Sequence, residues 1–226
     1  MSNLSTFFSN SNQFKNIAKN LFNNSYKIDH YAYRTFNMQD ILNKYPNYYL
    51  EKDKYDFDNN VKARWLSNKN EPFIFLSQYQ NPENDHLIDK NHIDIRKLKY
   101  LIKTKSPPDY KFYQEVNSYN QYLAWTLLFY NKINHVAFLV DDINVCYDNV
   151  KNHLEMYDVN NANDPIQISS DGNLKQFSIK AEQTKFNFSD GSYYVPYTFI
   201  EFVERQNGRR GFEGNNAAKI FDSTKK

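Results

Sequence analysis

One cysteine, Cys146, is all that this sequence has. It can form no intrachain disulfide and no Cys-based zinc site, and such cysteine usage fits a reducing compartment, the cytoplasm, or a host's cytoplasm for a viral chain. An excess of either charge is also missing. Lys and Arg total 28 against 26 Asp and Glu, a net +2 spread along the whole length. That balance offers neither a basic groove for nucleic acid nor a patch for an anionic membrane. The start, "MSNLSTFFSNSNQF", lacks the basic residues and long apolar run of a secretory signal. The longest apolar run, "YLAWTLLFY" at 122–130, is too short to cross a bilayer. The partners expected are therefore small molecules, for a monomer or homodimer.

What the chain does have is aromatic residues. Tyr (19) and Phe (18) far outnumber Trp (2), and hydrophobic residues make up 40% of the 226. That is enough for a sizeable aromatic core, which argues against disorder and for a single domain over 1–226. Asn is about one residue in seven, well above ordinary usage. Together with the Lys and Tyr excess this suggests an AT-rich genome, and it says nothing of activity.

Along the chain, Phe14, Ile17, Ala18, Leu21 and Phe22 have helical spacing. Ile28–Phe36 alternates as a strand, and "NMQDILNKYPNYYL" reads as a short helix ended near Pro46. Residues 61–80 read as two strands around a polar turn. An insertion over 83–130 is mostly helical and breaks at Pro107-Pro108. "INHVAFLVDD" is a strand leading into a helix with apolar residues at 143, 146, 147, 150 and 154. "LKQFSIKAEQTKFNF" and "YYVPYTFIEFVER" read as two further strands about a turn at 189–192. A Gly-punctuated tail, 206–226, then turns helical. The class is α+β, with two βαβββ-like halves at about 25–82 and 131–205.

Each half opens on the same pattern: "DHYAYRTF" at 29–36 and "NHVAFLV" at 134–140 both place a His two residues before an Ala. On a strand, alternate residues share a face. His30, Ala32 and Arg34 therefore point one way, as do His135 and Ala137. Glu201, Val203 and Arg205 form a matching set on the last strand, and a carboxylate inside the apolar "TFIEFV" is costly unless paired or bound to a metal. Two His and one carboxylate from three strands make a facial triad, the usual holder of non-haem Fe(II). A 2-oxo acid could chelate such a metal, and Arg34 could take a second carboxylate in a bidentate grip. The plainer alternative is that both His are satisfied core residues and that Glu201 pairs with Arg205 or Arg34. His86, His92 and His153 lie in polar contexts and read as surface residues, and Cys146 as an inert core thiol.

With those residues in view, the sequence resembles the 2-oxoadipate dioxygenase/decarboxylase (hydroxyglutarate synthase) family, once known only as a domain of unknown function. The likeness lies in "DHYAYRTF", "INHVAF", "VPYTFIEFVER" and the tail "RRGFEGNNAAKIFDST", with "GNLKQFSIKAEQ" a weaker match. It implies paired βαβββ modules of vicinal oxygen chelate type, forming a half-open β-barrel around a metal. His30, His135 and Glu201 would be the metal ligands and Arg34 the substrate-carboxylate residue. The resemblance makes Gln176, Ser178, Arg209, Arg210 and Ser223 candidates for the pocket wall. The cofactor implied is Fe(II), with Zn, Ni or Mn as other divalent occupants, and the reactants are O₂ and a 2-oxo dicarboxylic acid. For 2-oxoadipate the products would be 2-hydroxyglutarate and CO₂. The chain is shorter than bacterial members and its insertion is diverged, so the resemblance bears on the metal more than on the substrate. The rival readings are a metal-dependent isomerase or hydrolase on the same scaffold, a non-catalytic binding module and a structural protein.

Overall fold

A computed structural model describes residues 12–57, 61–69, 71–80, 92–153, 165–180, 183–196 and 199–212. It is an α+β fold with six helices and ten strands among those residues. The chain divides into two compact units. One comprises residues 1–31, 135–182 and 196–226, and the other 32–134 and 183–195. Strands β1 (Lys27–Thr35) and β5 (Lys132–Leu139) each run through a boundary.

In the first unit, helix α1 (Asn12–Asn20) buries Phe14, Ile17 and Ala18. The strands follow the order β5, β10 (Ile200–Arg205), β7 (Leu174–Ile179), β6 (Gln167–Ile168). β10 is parallel to β5 and antiparallel to β7. Register partners lie on the same side of a sheet, so the pairs can be read off face by face. Phe202 pairs with Phe138 and with Phe177 on one side. Glu201 pairs with Ala137 and with Ser178, and Val203 with Gln176, on the other.

The aromatic side is covered by helices. Phe14 and Phe22 lie 5.4 and 5.1 Å from the Phe138 ring. From α6 (Ile143–His153), Tyr147 meets Phe177 edge-on at 5.4 Å. Phe177 stacks on Phe202 at 4.8 Å. Each buried ring contributes about 2–3 kcal/mol, so this side stabilises the unit and leaves the polar side available for chemistry. Helix α6 is pinned at its start, where Ile143 N–H donates to Glu204 Oε2 (2.8 Å) and Asp142 Oδ1 accepts from Asn144 and Val145 N–H. Cys146, on its buried side, has a thiol pushed up to about 12 by burial.

In the second unit, α2 (Met38–Leu42) is capped by the Asn37 side chain. β2 (Tyr49–Phe57), β3 (Val61–Asn68) and β4 (Glu71–Tyr79) form an antiparallel meander in which Trp65 faces Phe75 and Leu66 faces Ile74. The expected helical insertion is present as α3 (Ile95–Thr104), α4 (Tyr110–Tyr119) and α5 (Gln121–Leu128). Asp94, Asp109 and Asn120 cap the three helices, and Asp109 follows directly on Pro107-Pro108. The run "YLAWTLLFY" is a core helix, buried from Tyr122 through Leu128.

Two sequence expectations change here. β2 follows the helix that was expected to end near Pro46, and no strand was foreseen there. The stretch read as two strands over 174–205 is four. Its middle pair, β8 (Gln183–Phe188) and β9 (Gly191–Pro196), forms a separate two-stranded hairpin. Pro196 has no N–H to continue a ladder. The hairpin packs within the second unit: Tyr193 stacks on Tyr110 at 4.2 Å, and the Asp190 carboxylate accepts from Tyr110 N–H at 3.0 Å. The expected helix in the tail lies outside the described residues. No described helix is long and apolar enough to cross a membrane.

Candidate metal centre

Three buried side chains of the first unit converge. His30 Nε2 approaches Glu201 Oε2 at 3.4 Å, and His135 Nε2 approaches the same oxygen at 3.5 Å. One donor atom from each residue lies within 4.8 Å of the others. All three residues are at most 4% exposed. The strands explain the convergence. Glu201 stands beside Ala137, so His135, one strand step earlier, shares its side of the sheet. Alanine occupies the intervening position and puts only a methyl group there.

Behind His30 is a charged pair. Asp29 Oδ2 lies 2.8 Å from His30 Nδ1. Arg205 donates to the same carboxylate from Nε (2.6 Å) and Nη2 (2.9 Å). Burial would raise the Asp29 pKa, but the Arg205 charge and the hydrogen bonds from His30 and Arg205 outweigh it and bring it to about 2. Asp29 is therefore ionised and accepts only, so His30 Nδ1 carries the proton and Nε2 faces Glu201. Burial also opposes charge on Glu201, yet the neighbouring imidazoles of His135 and His30 hold its pKa below the usual value. The His30 pKa is raised: burial lowers it, but the bonds to Asp29 and Glu201 win.

The donor set fits a divalent metal. Two ligands each about 2.1 Å from one ion stand about 3.0–3.4 Å apart at angles between 90° and tetrahedral. The two nitrogen–oxygen separations already approach that. Glu201 Oε1 is buried with no hydrogen-bond partner among the described residues. A buried carboxylate oxygen without a donor is costly, and a cation would satisfy it. Two neutral imidazoles and a carboxylate suit borderline metals such as Fe(II), Zn or Ni and leave coordination positions free.

The 2-oxoadipate dioxygenase/decarboxylase family model matches residues 89–209, more than half of the sequence. This chain belongs to that family. The matched region holds His135 and Glu201, whereas His30 and Arg34 precede it. Among relatives of this family, a chloroplastic 2-oxoadipate dioxygenase/decarboxylase of Arabidopsis thaliana is 29% identical over 134 residues, covering 50% of this chain and 36% of the relative. A chloroplastic/amyloplastic protein of the same name from Oryza sativa is 25% identical over 251 aligned positions, 87% of this chain and 68% of the relative. The chain thus spans little more than a third of the Arabidopsis protein. The crystal structure of a hydroxyglutarate synthase from Oryza sativa in complex with 2-oxoadipate is similar in fold: TM-score 0.74, 24% identity, 97% of this chain and 88% of that one.

The remaining members of the expected site fall in different places. Gln176 and Ser178, from β7, are buried on the Glu201 side of the sheet, and both amide atoms of Gln176 lack a partner among the described residues. Arg34 is buried in the second unit, its guanidinium 4.0 Å over the Tyr122 ring and 5.2 Å from Trp125. Arg209 reaches Asp171 at 3.1 Å, and Arg210 is exposed. Ser223 lies outside the described residues, as does His86. His92 is exposed, stacked on Tyr119, and the side chain of His153 is not described.

Sequence reasoning passed over Asp29, Phe199 and Phe212, and it offered Arg205 as a partner for Glu201. Arg205 pairs with Asp29 instead. The Phe199 ring lies 4.1 Å from His135, and Phe212 meets His30 edge-on at 5.1 Å. The one local signal was the acidic neighbour in "DHYAYRTF".

Proposed function

We propose that this protein is an Fe(II)-dependent dioxygenase/decarboxylase acting on a 2-oxo dicarboxylic acid, converting 2-oxoadipate and O₂ to 2-hydroxyglutarate and CO₂. The observation that carries the reading is the buried convergence of His30, His135 and Glu201. The family name and the 2-oxoadipate bound to the rice enzyme of similar fold support the substrate.

His30 and His135 would hold the iron through Nε2, and Glu201 through its carboxylate. Bound there, Fe(II) supplies a redox-active Lewis acid on which a chelating 2-oxo acid and O₂ can meet. The protein's own part is positioning and exclusion of water. Asp29 keeps the proton of His30 on Nδ1, leaving the Nε2 lone pair free. Ala137 sets only a methyl group beside the ligands, and Phe199 and Phe212 wall the two imidazoles with apolar surface. Gln176 offers an amide without a partner among the described residues and Ser178 a hydroxyl on the Glu201 side, suited to substrate oxygens. Strand alternation on β1 puts Arg34 in phase with His30 and Ala32, and its planar fork suits the second carboxylate. One oxygen atom of O₂ enters the new carboxyl group and the other the hydroxyl, so the stoichiometry closes with CO₂ as the only other product.

The strand order supports a vicinal oxygen chelate scaffold. β1, α2, β2, β3 and β4 read as one βαβββ module and β5, α6, β6, β7 and β10 as a second, into which the β8–β9 hairpin is inserted.

The test is anaerobic reconstitution with Fe(II), then a panel of 2-oxo acids with O₂ uptake and CO₂ release followed together. Equimolar O₂ and CO₂ on 2-oxoadipate is the expected result. Turnover without O₂ uptake would move the protein to the isomerase or hydrolase class. A protein that takes up no metal would be a binding module.

A further inference from the structure

The Asp29–Arg205 pair stands behind a single ring nitrogen, and its cost needs a reason. Both side chains are largely withdrawn from water, at 2% and 9% exposure. Burying an ion pair seldom stabilises a fold more than apolar residues of the same volume would. What the pair does have is direction. Both Asp29 oxygens are engaged by Arg205, and one of them also takes His30 Nδ1. The carboxylate can neither rotate nor pick up a proton without giving up part of the fork.

Arg205 has a third engagement. Its Nη1 donates to the Gly211 carbonyl at 2.7 Å, and its guanidinium lies 5.1 Å from the Phe212 ring. Gly211 has φ +69°, a conformation that other residues adopt with strain. Phe212 in turn meets the His30 ring edge-on. One guanidinium thus holds the ring of His30 by two routes, through Asp29 at Nδ1 and through the Phe212 ring.

We infer that Asp29 and Arg205 are positioning residues that lock His30 in the Nδ1–H tautomer with Nε2 aimed at Glu201, and that Arg205 also fixes the Gly211–Phe212 wall against that ring. The inference rests on the metal reading above. It assigns to this pair the orienting role that outer carboxylates play for metal-bound histidines, where their loss typically costs ten- to a hundredfold in affinity.

The test uses the whole chain, with Co(II) and Zn(II) as probes. Asp29→Ala is expected to weaken Co(II) binding ten- to a hundredfold in chelator competition. Asp29→Asn should fall between it and wild type, because an amide oxygen can still accept from Nδ1–H but cannot hold the Arg205 fork. Arg205→Lys, which keeps the charge without the fork, should weaken binding several-fold and shift the Co(II) visible bands. In the Zn(II)-loaded protein, proton NMR should show a slowly exchanging, downfield Nδ1–H resonance of His30 that is lost in Asp29→Ala. A merely structural role would leave that resonance and the bands of the folded variants unchanged. If Asp29→Ala does not fold by circular dichroism, Asp29→Asn and Arg205→Lys decide. Wild-type affinity and spectra in the folded variants would overturn the inference alone. Failure of the wild-type protein to bind either metal would overturn the metal reading and this inference with it.

Discussion

Glu201 and Ala137 are direct partners in the parallel β5–β10 register, and both are fully enclosed, at 3% and 0% exposure. The side chain that β5 sets beside Glu201, one strand step from His135, is therefore a methyl group. Ala137→Leu would place three more carbons where the ligands converge. Overpacking of this kind costs about 1–3 kcal/mol, to be read as a lower urea midpoint. The variant should also lose metal affinity out of proportion to its stability. Wild-type metal affinity in a folded Ala137→Leu protein would show that the space beside Ala137 is not needed by the ligands.

His135→Ala removes one of the two imidazoles while leaving Glu201 and His30 in place. A two-ligand remnant should hold no stoichiometric metal, measured by elemental analysis after desalting. The fold should survive, because the opposite face of β5 carries Phe138 into the aromatic core. Full metal occupancy in this variant would remove the triad from consideration.

Glu204 gives a prediction in acid. Burial would raise its pKa, but the bond from Ile143 N–H and the interactions with Lys175 and Gln206 outweigh that and hold it below the ordinary 4.5. A carboxylate depressed in the folded state contributes stability that is fully present above its unfolded pKa. That contribution is lost as pH falls through the folded value. Glu204→Gln should therefore cost about 1–3 kcal/mol near pH 7, where a charge-assisted bond to the start of α6 is weakened. The gap between variant and wild type should narrow below about pH 4.5 as Glu204 takes up its proton. Urea unfolding of both proteins at two pH values checks it, and a gap that does not change with pH would refute the assignment.

The history of these residues shows what sequence carries. His30, Ala32, His135 and Ala137 were legible because strand alternation is a local rule and the pattern is written twice. Glu201 was legible because a carboxylate is conspicuous in an apolar run. The Asp29–Arg205 pair was not, since its members lie 176 positions apart and a charge in sequence does not name its partner. Arg205 shares the strand phase of Glu201, and that nearness suggested the wrong pairing. The β8–β9 hairpin was hidden for a related reason. Its residues alternate like those of β7 and β10, and contacts with distant segments draw it into the second unit: Tyr193 stacks on Tyr110, Phe186 meets Phe129, and Ser189 N–H donates to the Pro108 carbonyl.

Arg34 provides the sharpest test of the substrate. Its guanidinium sits over Tyr122 and near Trp125, contacts worth about 0.5–2 kcal/mol that also set the plane of the fork. Arg34→Ala should keep the metal, because no proposed ligand is touched. It should raise the half-saturating concentration of a 2-oxo dicarboxylic acid at least tenfold, about 1.4 kcal/mol for a lost bidentate pair. A 2-oxo monocarboxylic acid of similar length should be affected far less, since it has no second carboxylate to lose a partner. Arg34→Lys should recover only part of the loss, because an ammonium restores the charge without the planar fork. Equal losses for the mono- and dicarboxylic acids would mean that Arg34 holds up the aromatic wall and does not read the substrate.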